Sequence, residues 1–65
     1  MADRALEKIR RSVDRLEAAR EARDSAIWEA ATGGKSLRAI ATVSGVTHET
    51  VRTIIRAGEE QSAAS

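Results

Sequence analysis

Apolar side chains in the first part of the chain recur at the spacing of one face of an α-helix. Successive members are separated by three, four and three residues, which places them at alternating a and d positions of a heptad pattern. These residues, called the apolar stripe below, are Leu6, Ile9, Val13 and Leu16. Two arginines then occupy the same register before apolar residues return: Arg20 and Arg23, followed by Ile27 and Ala30. The pattern predicts a long helix that is apolar on one face near both of its ends.

The chain from Ala2 to Thr32 contains neither Gly nor Pro and consists mostly of good helix formers. We therefore predict one continuous helix of about 30 residues, roughly 45 Å long at 1.5 Å per residue. Gly33 and Gly34 follow directly. Because glycine commonly ends a helix and lets the chain turn, these two residues mark the predicted end.

Oppositely charged residues follow one another at i+3 or i+4 spacing along this helix. Glu7 precedes Arg10 by three residues, and Arg20 precedes Asp24 by four. Such pairs stabilise a helix by only ~0.2–0.5 kcal/mol each. Because acids are interleaved with the arginines, we predict a solvated or interchain-bridging face here rather than a DNA-binding one.

The first helix is too long to pack along its whole length on the rest of so short a chain. Residues 1–18 are predicted to be an N-terminal extension that dimerises as a coiled coil through the apolar stripe. The alternative is an amphipathic helix that packs on its own domain. Residues 19–57 are predicted to form a compact domain. Residues 58–65 lack apolar periodicity and are predicted to be a disordered tail.

The second half of the chain predicts two short helices joined by a tight turn. A residue with a hydroxyl group precedes each one: Ser36 is predicted to cap a helix over 37–44, and Thr47 one from 48 to 56 or 57. Between them, Gly45 can adopt the positive φ that ends the first helix and turns the chain.

The apolar residues around the turn have the sizes that two closely crossing helices require. Ala41 is small enough for a close crossing, and Val46 fills the space beneath the turn. Val51 and Ile54 form the inner face of the second helix. This is the steric pattern of a helix-turn-helix. The predicted fold is therefore all-α: a long N-terminal helix followed by a two-helix helix-turn-helix, together a tri-helical unit.

The composition excludes several classes of function. The chain has 65 residues and no Cys, which excludes disulfide, iron–sulfur and thiol chemistry. Its one histidine, His48, has no cluster of carboxylates beside it, so no metal site, no cofactor and no catalytic activity are predicted. No segment is apolar enough to span a membrane, and charged residues interrupt any signal peptide. We expect a cytoplasmic protein without a membrane or small-molecule partner.

Positive charge is concentrated in the middle of the chain. Residues 1–32 carry seven basic and seven acidic side chains, and residues 57–65 carry two acids. Residues 33–56 carry four basic side chains and one acid, which leaves a net charge of +3. This segment is where a polyanion is expected to bind. The alternative is a solvated surface with a chance excess of positive charge.

The segment 36–56, SLRAIATVSGVTHETVRTIIR, resembles the DNA-binding helix-turn-helix of bacterial regulators. It is similar to the S-L-R-x-I-A-x-x-x-G-V-S-H-x-T-V-x-x-I form common in actinobacterial and phage proteins, and to the C-terminal segment of serine recombinases. The resemblance covers about a third of the chain. Thr47 stands where this form usually has Ser.

The resemblance implies that the second short helix enters the major groove while the first crosses the DNA backbone. The residues predicted to read bases are Thr47, His48, Glu49, Arg52 and Thr53. The residues predicted to contact phosphates are Lys35, Ser36, Arg38, Thr50 and Arg56. Arg52 suits bidentate binding of guanine O6 and N7. Glu49 either accepts a hydrogen bond from cytosine N4 or orients Arg52, its i+3 neighbour.

Two other residues have alternative interpretations. His48 either contacts the groove or is an exposed residue without a function. Trp28 is the only aromatic residue of the chain. It packs in the core or a dimer interface, or it stacks on a base. Packing is favoured because proteins that stack on single-stranded bases use several aromatic side chains.

The sequence thus predicts a sequence-specific double-stranded DNA-binding protein. We expect a homodimeric transcriptional regulator or repressor of the bacterial nucleoid that reads an inverted repeat. The alternative hypothesis is a protein-interaction adaptor, or an architectural or partition DNA-binding protein, that docks a partner with its long helix.

Overall fold

The computed structural model describes residues 3–64, which form three helices. Helix α1 spans Arg4–Thr32, α2 spans Leu37–Ser44 and α3 spans His48–Ala64. The prediction of an all-α fold with one long helix followed by two shorter ones is confirmed. No helix in the described part of the chain is long and apolar enough to cross a membrane.

Helix α1 begins at Arg4, and the preceding residue, Asp3, is its N-cap. The Asp3 carboxylate accepts a hydrogen bond from the Ala5 amide at 2.8 Å, which satisfies a backbone donor that has no partner within the helix. The predicted first residue, Ala2, lies outside the described residues. The helix ends at Thr32 as predicted, and Gly34 adopts φ +91° in the turn that follows.

The predicted caps of the two shorter helices are confirmed. The Ser36 hydroxyl accepts a hydrogen bond from the Ala39 amide at 3.1 Å, and the Thr47 hydroxyl accepts one from the Thr50 amide at 3.2 Å. Gly45 adopts φ +74° at the end of α2. Local hydrogen bonds and one left-handed residue therefore define the turn between α2 and α3.

The core lies where the C-terminal end of α1 meets α2 and α3. Val51 of α3 is fully buried, and Ile27 of α1 is 4% exposed. Ile40 and Ala41 of α2 complete the buried set, and the small side chain of Ala41 is part of the packed interface as predicted. Partly buried residues surround these four: Ala30, Ala31, Leu37, Val46, Ile54 and Ile55.

Replacing Gly45 isolates the contribution of its backbone conformation. A Cβ added there has no atom within 4 Å, so steric overlap with other residues plays no part. A non-glycine L-residue in the left-handed region costs about 1–2 kcal/mol. We expect Gly45→Ala to lower the free energy of unfolding by that amount in chemical denaturation. Gly45→Asn is the control, because Asn tolerates this conformation better; equal losses in both variants would contradict the explanation.

Helix α3 is longer than predicted, because it continues past Arg56 and Ala57 to Ala64. The prediction of disorder is therefore wrong for residues 58–64, and Ser65 lies outside the described residues. The structural reason is at Gly58. The indole of Trp28 lies against it so closely that a Cβ at Gly58 would be 2.5 Å from Trp28 Cε3. This glycine provides space for a side chain of α1 and does not end α3.

The N-terminal half of α1 extends beyond the core and leaves the apolar stripe exposed. Its members are 64%, 60%, 45% and 51% exposed in chain order: Leu6, Ile9, Val13 and Leu16. The expected Glu7–Arg10 ion pair is present at 3.9 Å. The expected pair between Arg20 and Asp24 does not form among the described residues. Asp24 Oδ1 instead accepts a hydrogen bond from Nε of the adjacent Arg23 at 3.0 Å and forms an ion pair with Arg23 Nη2 at 2.9 Å.

Candidate nucleic-acid interface

One face of α3 packs on the core and turns a row of polar side chains outward. Val51 is fully buried, and Ile54 and Ile55 are partly buried beside it. The exposed residues on the opposite side follow at i+3 and i+4 steps, so they form a continuous row along the helix. This outer row consists of Glu49, Arg52, Thr53 and Arg56. Arg56, predicted as a phosphate contact, therefore lies in line with the predicted base-reading residues.

Arg52 is held loosely by its neighbour in the row. Its Nη1 atom lies 3.8 Å from Glu49 Oε2, and the two side chains are 56% and 85% exposed. This distance exceeds that of a hydrogen bond, so the guanidinium keeps its donors for another acceptor. The geometry suits an orienting role for Glu49, which limits the positions of the Arg52 side chain without occupying its hydrogen-bond donors.

The two threonines at the start of α3 have different opportunities for binding. The Thr47 hydroxyl accepts from the Thr50 amide and donates to Thr50 Oγ1 at 3.0 Å. Both functions of Thr47 are thereby used within the cap. Thr50 Oγ1 accepts this bond and keeps its own proton for a further acceptor. The geometry therefore leaves the Thr50 hydroxyl a proton for an acceptor such as a phosphate oxygen, whereas the Thr47 hydroxyl is engaged in the cap.

The remaining predicted base-reading residues lie at different parts of the α3 surface. Thr53 donates to the Glu49 carbonyl at 3.1 Å. It lines a cleft between α1 and α3, which also includes Glu21 and Asp24. His48 is exposed at the first helical position. Since carboxylates border the Thr53 side, the part of α3 best suited to a polyanion is the side of Arg52 and His48.

The predicted phosphate contacts on α2 cluster at its N-terminus. Lys35 and Arg38 are exposed on either side of the cap residue Ser36. The Ser36 hydroxyl is occupied by the Ala39 amide. The helix N-terminus carries a partial positive charge that favours an anion. The basic side chains of Lys35 and Arg38 and the positive end of the helix dipole therefore lie together at this end of α2.

Two features of the surface were missed by the sequence analysis. One is the contact between Trp28 and Gly58 described above, for which the sequence offered no signal because the two residues are thirty positions apart. The other is an apolar groove between α1 and α2, bordered by Arg23 and Lys35. Val43 lines this groove and is 90% exposed, although its apolar character alone would place it in the core.

Comparisons with known proteins returned no match among family models, curated proteins or solved structures. Function is therefore inferred from the chemistry of the described residues. They combine a helix-turn-helix geometry, an outward row on α3 that contains two arginines, and a basic N-terminus on α2.

Proposed function

We propose that this protein binds double-stranded DNA sequence-specifically, with the first part of α3 in the major groove. The observation that carries the proposal is the outer row of α3, in which Arg52 is exposed and only loosely paired, while the preceding residue, Val51, is fully buried and anchors the helix on the core. A rigid helix that presents an arginine in this way suits bidentate recognition of guanine. The N-terminal end of α2, with Lys35 and Arg38, then contacts the backbone.

The proposed DNA-binding unit is a homodimer. One unit with a net charge of +3 over residues 33–56 neutralises few phosphates and binds weakly at physiological salt. Two copies joined through the exposed apolar stripe double the contacts, and they read an inverted repeat because the pair has twofold symmetry. Repression or other regulation of transcription in the bacterial cytoplasm is the role that this arrangement supports.

An adaptor function is the second candidate, and the exposure of the apolar stripe favours it. Four large apolar side chains on a projecting helix are also suited to bind a larger protein partner. In that case, the helix-turn-helix only supports the long helix. The two candidates differ in what they require, because only DNA reading depends on Arg52.

Selection from random double-stranded DNA tests the proposed function. Purified protein is incubated with the DNA at about 150 mM salt, where nonspecific electrostatic binding is weak, and the retained molecules are sequenced. We expect an enriched inverted repeat. The variant with both Val13→Asp and Leu16→Asp is the control. It keeps the reading surface but loses the apolar stripe, so it should enrich a single half-site or retain little DNA.

Two outcomes would contradict the proposal. If retention disappears as salt rises and no motif is enriched, the protein is a nonspecific DNA coat. If no DNA is retained at any salt concentration, the adaptor function becomes the better explanation.

A further inference from the structure

The apolar stripe and the packed end of α1 lie on the same side of one helix. Helix α1 is continuous from Arg4 to Thr32. Ile9 precedes Ile27 by 18 residues, which is about five turns at 3.6 residues per turn, so the two side chains point in the same direction. By the same calculation, Val13 and Leu16 lie within about 40° of that direction. A partner on the apolar stripe therefore stands on the side where Ile27 is buried.

That side of α1 is already covered at its C-terminal end. Ile27 is 4% exposed because it packs with Ile40 of α2 and Val51 of α3. The helix-turn-helix thus extends from α1 in the direction in which the apolar stripe faces. Any second α1 that lies along the stripe has to avoid these two helices.

A parallel pair of α1 helices does not satisfy this condition. The axes of two helices in contact lie about 8–10 Å apart. In a parallel pair, the helix-turn-helix of each copy would lie between the two α1 helices, whose axes would then have to be roughly 24–30 Å apart at that level. Leu16 and Ile27 are separated along the axis by only about 16 Å. Two unbroken helices in contact from Leu6 to Leu16 do not diverge enough over that length. The helix-turn-helix units of the two copies would occupy the same space.

From this geometry and the proposed self-association, we infer that two copies pair antiparallel through the apolar stripe. Each α1 then runs past the N-terminal end of the other α1 before its own helix-turn-helix begins. Leu6 of one copy packs on Leu16 of the second copy, and Ile9 packs on Val13. The two Ile27 positions lie about 48 Å apart along the helix axes, so the reading surfaces are at opposite ends of the paired helices.

The composition of the stripe fits a second copy as the occupant. Its residues are Leu, Ile, Val and Leu, so both directions read as a leucine, two β-branched residues and a leucine. When two stripes pair antiparallel, each leucine of one copy therefore meets a leucine of the second, and each β-branched side chain meets a β-branched one. A surface that is its own complement on reversal is what an antiparallel twofold contact between identical chains requires.

The charges beside the stripe are mixed in this arrangement, because the register that sets Arg10 opposite its own counterpart also sets Asp3 opposite Glu17 of the second copy. Arg20 makes no ion pair within the described residues of one chain. In the antiparallel pair it lies level with the first turn of the second copy, beside the carboxylate of Asp3. Arg10 faces its own counterpart near the twofold axis, where Glu7 of the same helix, 3.9 Å away, supplies compensating charge. The direction of pairing therefore follows mainly from steric exclusion.

Disulfide cross-linking tests the direction directly, because the chain has no cysteine of its own. Leu6→Cys and Leu16→Cys proteins, one carrying a mass tag, are mixed and oxidised without DNA, and the products are separated by mass. We expect the mixed disulfide to exceed either homodisulfide about tenfold. Like cysteines are about 15 Å apart in the antiparallel pair, which is too far for a disulfide.

Each outcome has a defined meaning. A homodisulfide of Leu16→Cys as the main product would overturn the antiparallel arrangement. Absence of all cross-links, together with a 7.0 kDa species in sedimentation equilibrium of the unmodified protein, would overturn self-association itself. If the leucine substitutions weaken association, Ala5→Cys with Ala19→Cys repeats the test with the stripe intact. Because no DNA is present, the result does not depend on the DNA-binding proposal.

Discussion

Arg52→Ala is expected to abolish the preference of the protein for its selected DNA site while leaving the fold intact. The side chain is 56% exposed, and its only ion pair within residues 3–64 is the 3.8 Å contact with Glu49, so its loss costs the domain little stability. A bidentate arginine–guanine contact contributes ~1–3 kcal/mol of discrimination. In a dimer that uses it twice, affinity for the specific site should fall roughly 30-fold to 10⁴-fold.

Titration of the selected site and a scrambled duplex, each at several salt concentrations, measures this effect. Arg38→Ala is the matched control, because it removes an arginine predicted to contact phosphate. We expect that control to weaken binding to both duplexes equally and to reduce the salt dependence by about one phosphate contact per copy. An equal loss on both duplexes for Arg52→Ala would show that Arg52 is a phosphate contact and does not read a base.

Gly58→Ala should destabilise the native protein but stabilise a variant that lacks Trp28. In the native chain, the new Cβ would be 2.5 Å from Trp28 Cε3 and 2.7 Å from Cδ2. The ring or α3 must therefore move, at a cost of about 1–3 kcal/mol. In the Trp28→Ala background that overlap disappears. The higher helix propensity of alanine should then add up to ~1 kcal/mol to the free energy of unfolding.

A double-mutant cycle at one protein concentration measures this change of sign. Unfolding has to be followed by far-UV circular dichroism, because Trp28 is the only tryptophan and is absent from two of the four proteins. A constant concentration is needed because the proposed dimerisation would contribute to apparent stability. Ala57→Gly is the local control, since it changes an exposed neighbour and should cost only the propensity difference of about 1 kcal/mol. Stabilisation by Gly58→Ala in both backgrounds would contradict the packing of Trp28 on Gly58.

Much of the fold could be predicted because its signals are local. Ser36, Gly45 and Thr47 each act through a hydrogen bond or a backbone angle within a few residues of themselves. The inward position of Val51 follows from its spacing along α3. The outward positions of Glu49 and Arg52 follow from the same periodicity. The candidate reading surface could therefore also be predicted from the sequence.

The side-chain positions that the sequence did not predict share a different cause. Asp24 had two possible arginine partners, and in the structure it pairs with the adjacent Arg23 instead of Arg20. No position was predicted for Val43, which is apolar but borders a groove between α1 and α2 and is almost fully exposed. Spacing along one helix does not determine either result, because several neighbours compete for the same side chain or surface.

Sequence alone determined where α2 and α3 start, where α1 and α2 end, and which face of α3 is polar, since caps and periodicity act over one or two turns. Tertiary structure decided the length of α3, because Gly58 is compatible with a helix end until Trp28, thirty residues earlier, is seen to pack on it. It also placed the helix-turn-helix on the side of α1 that carries the apolar stripe. Helix periodicity shows that those residues share a face, but only the packing of α2 and α3 shows what else occupies the space in front of it.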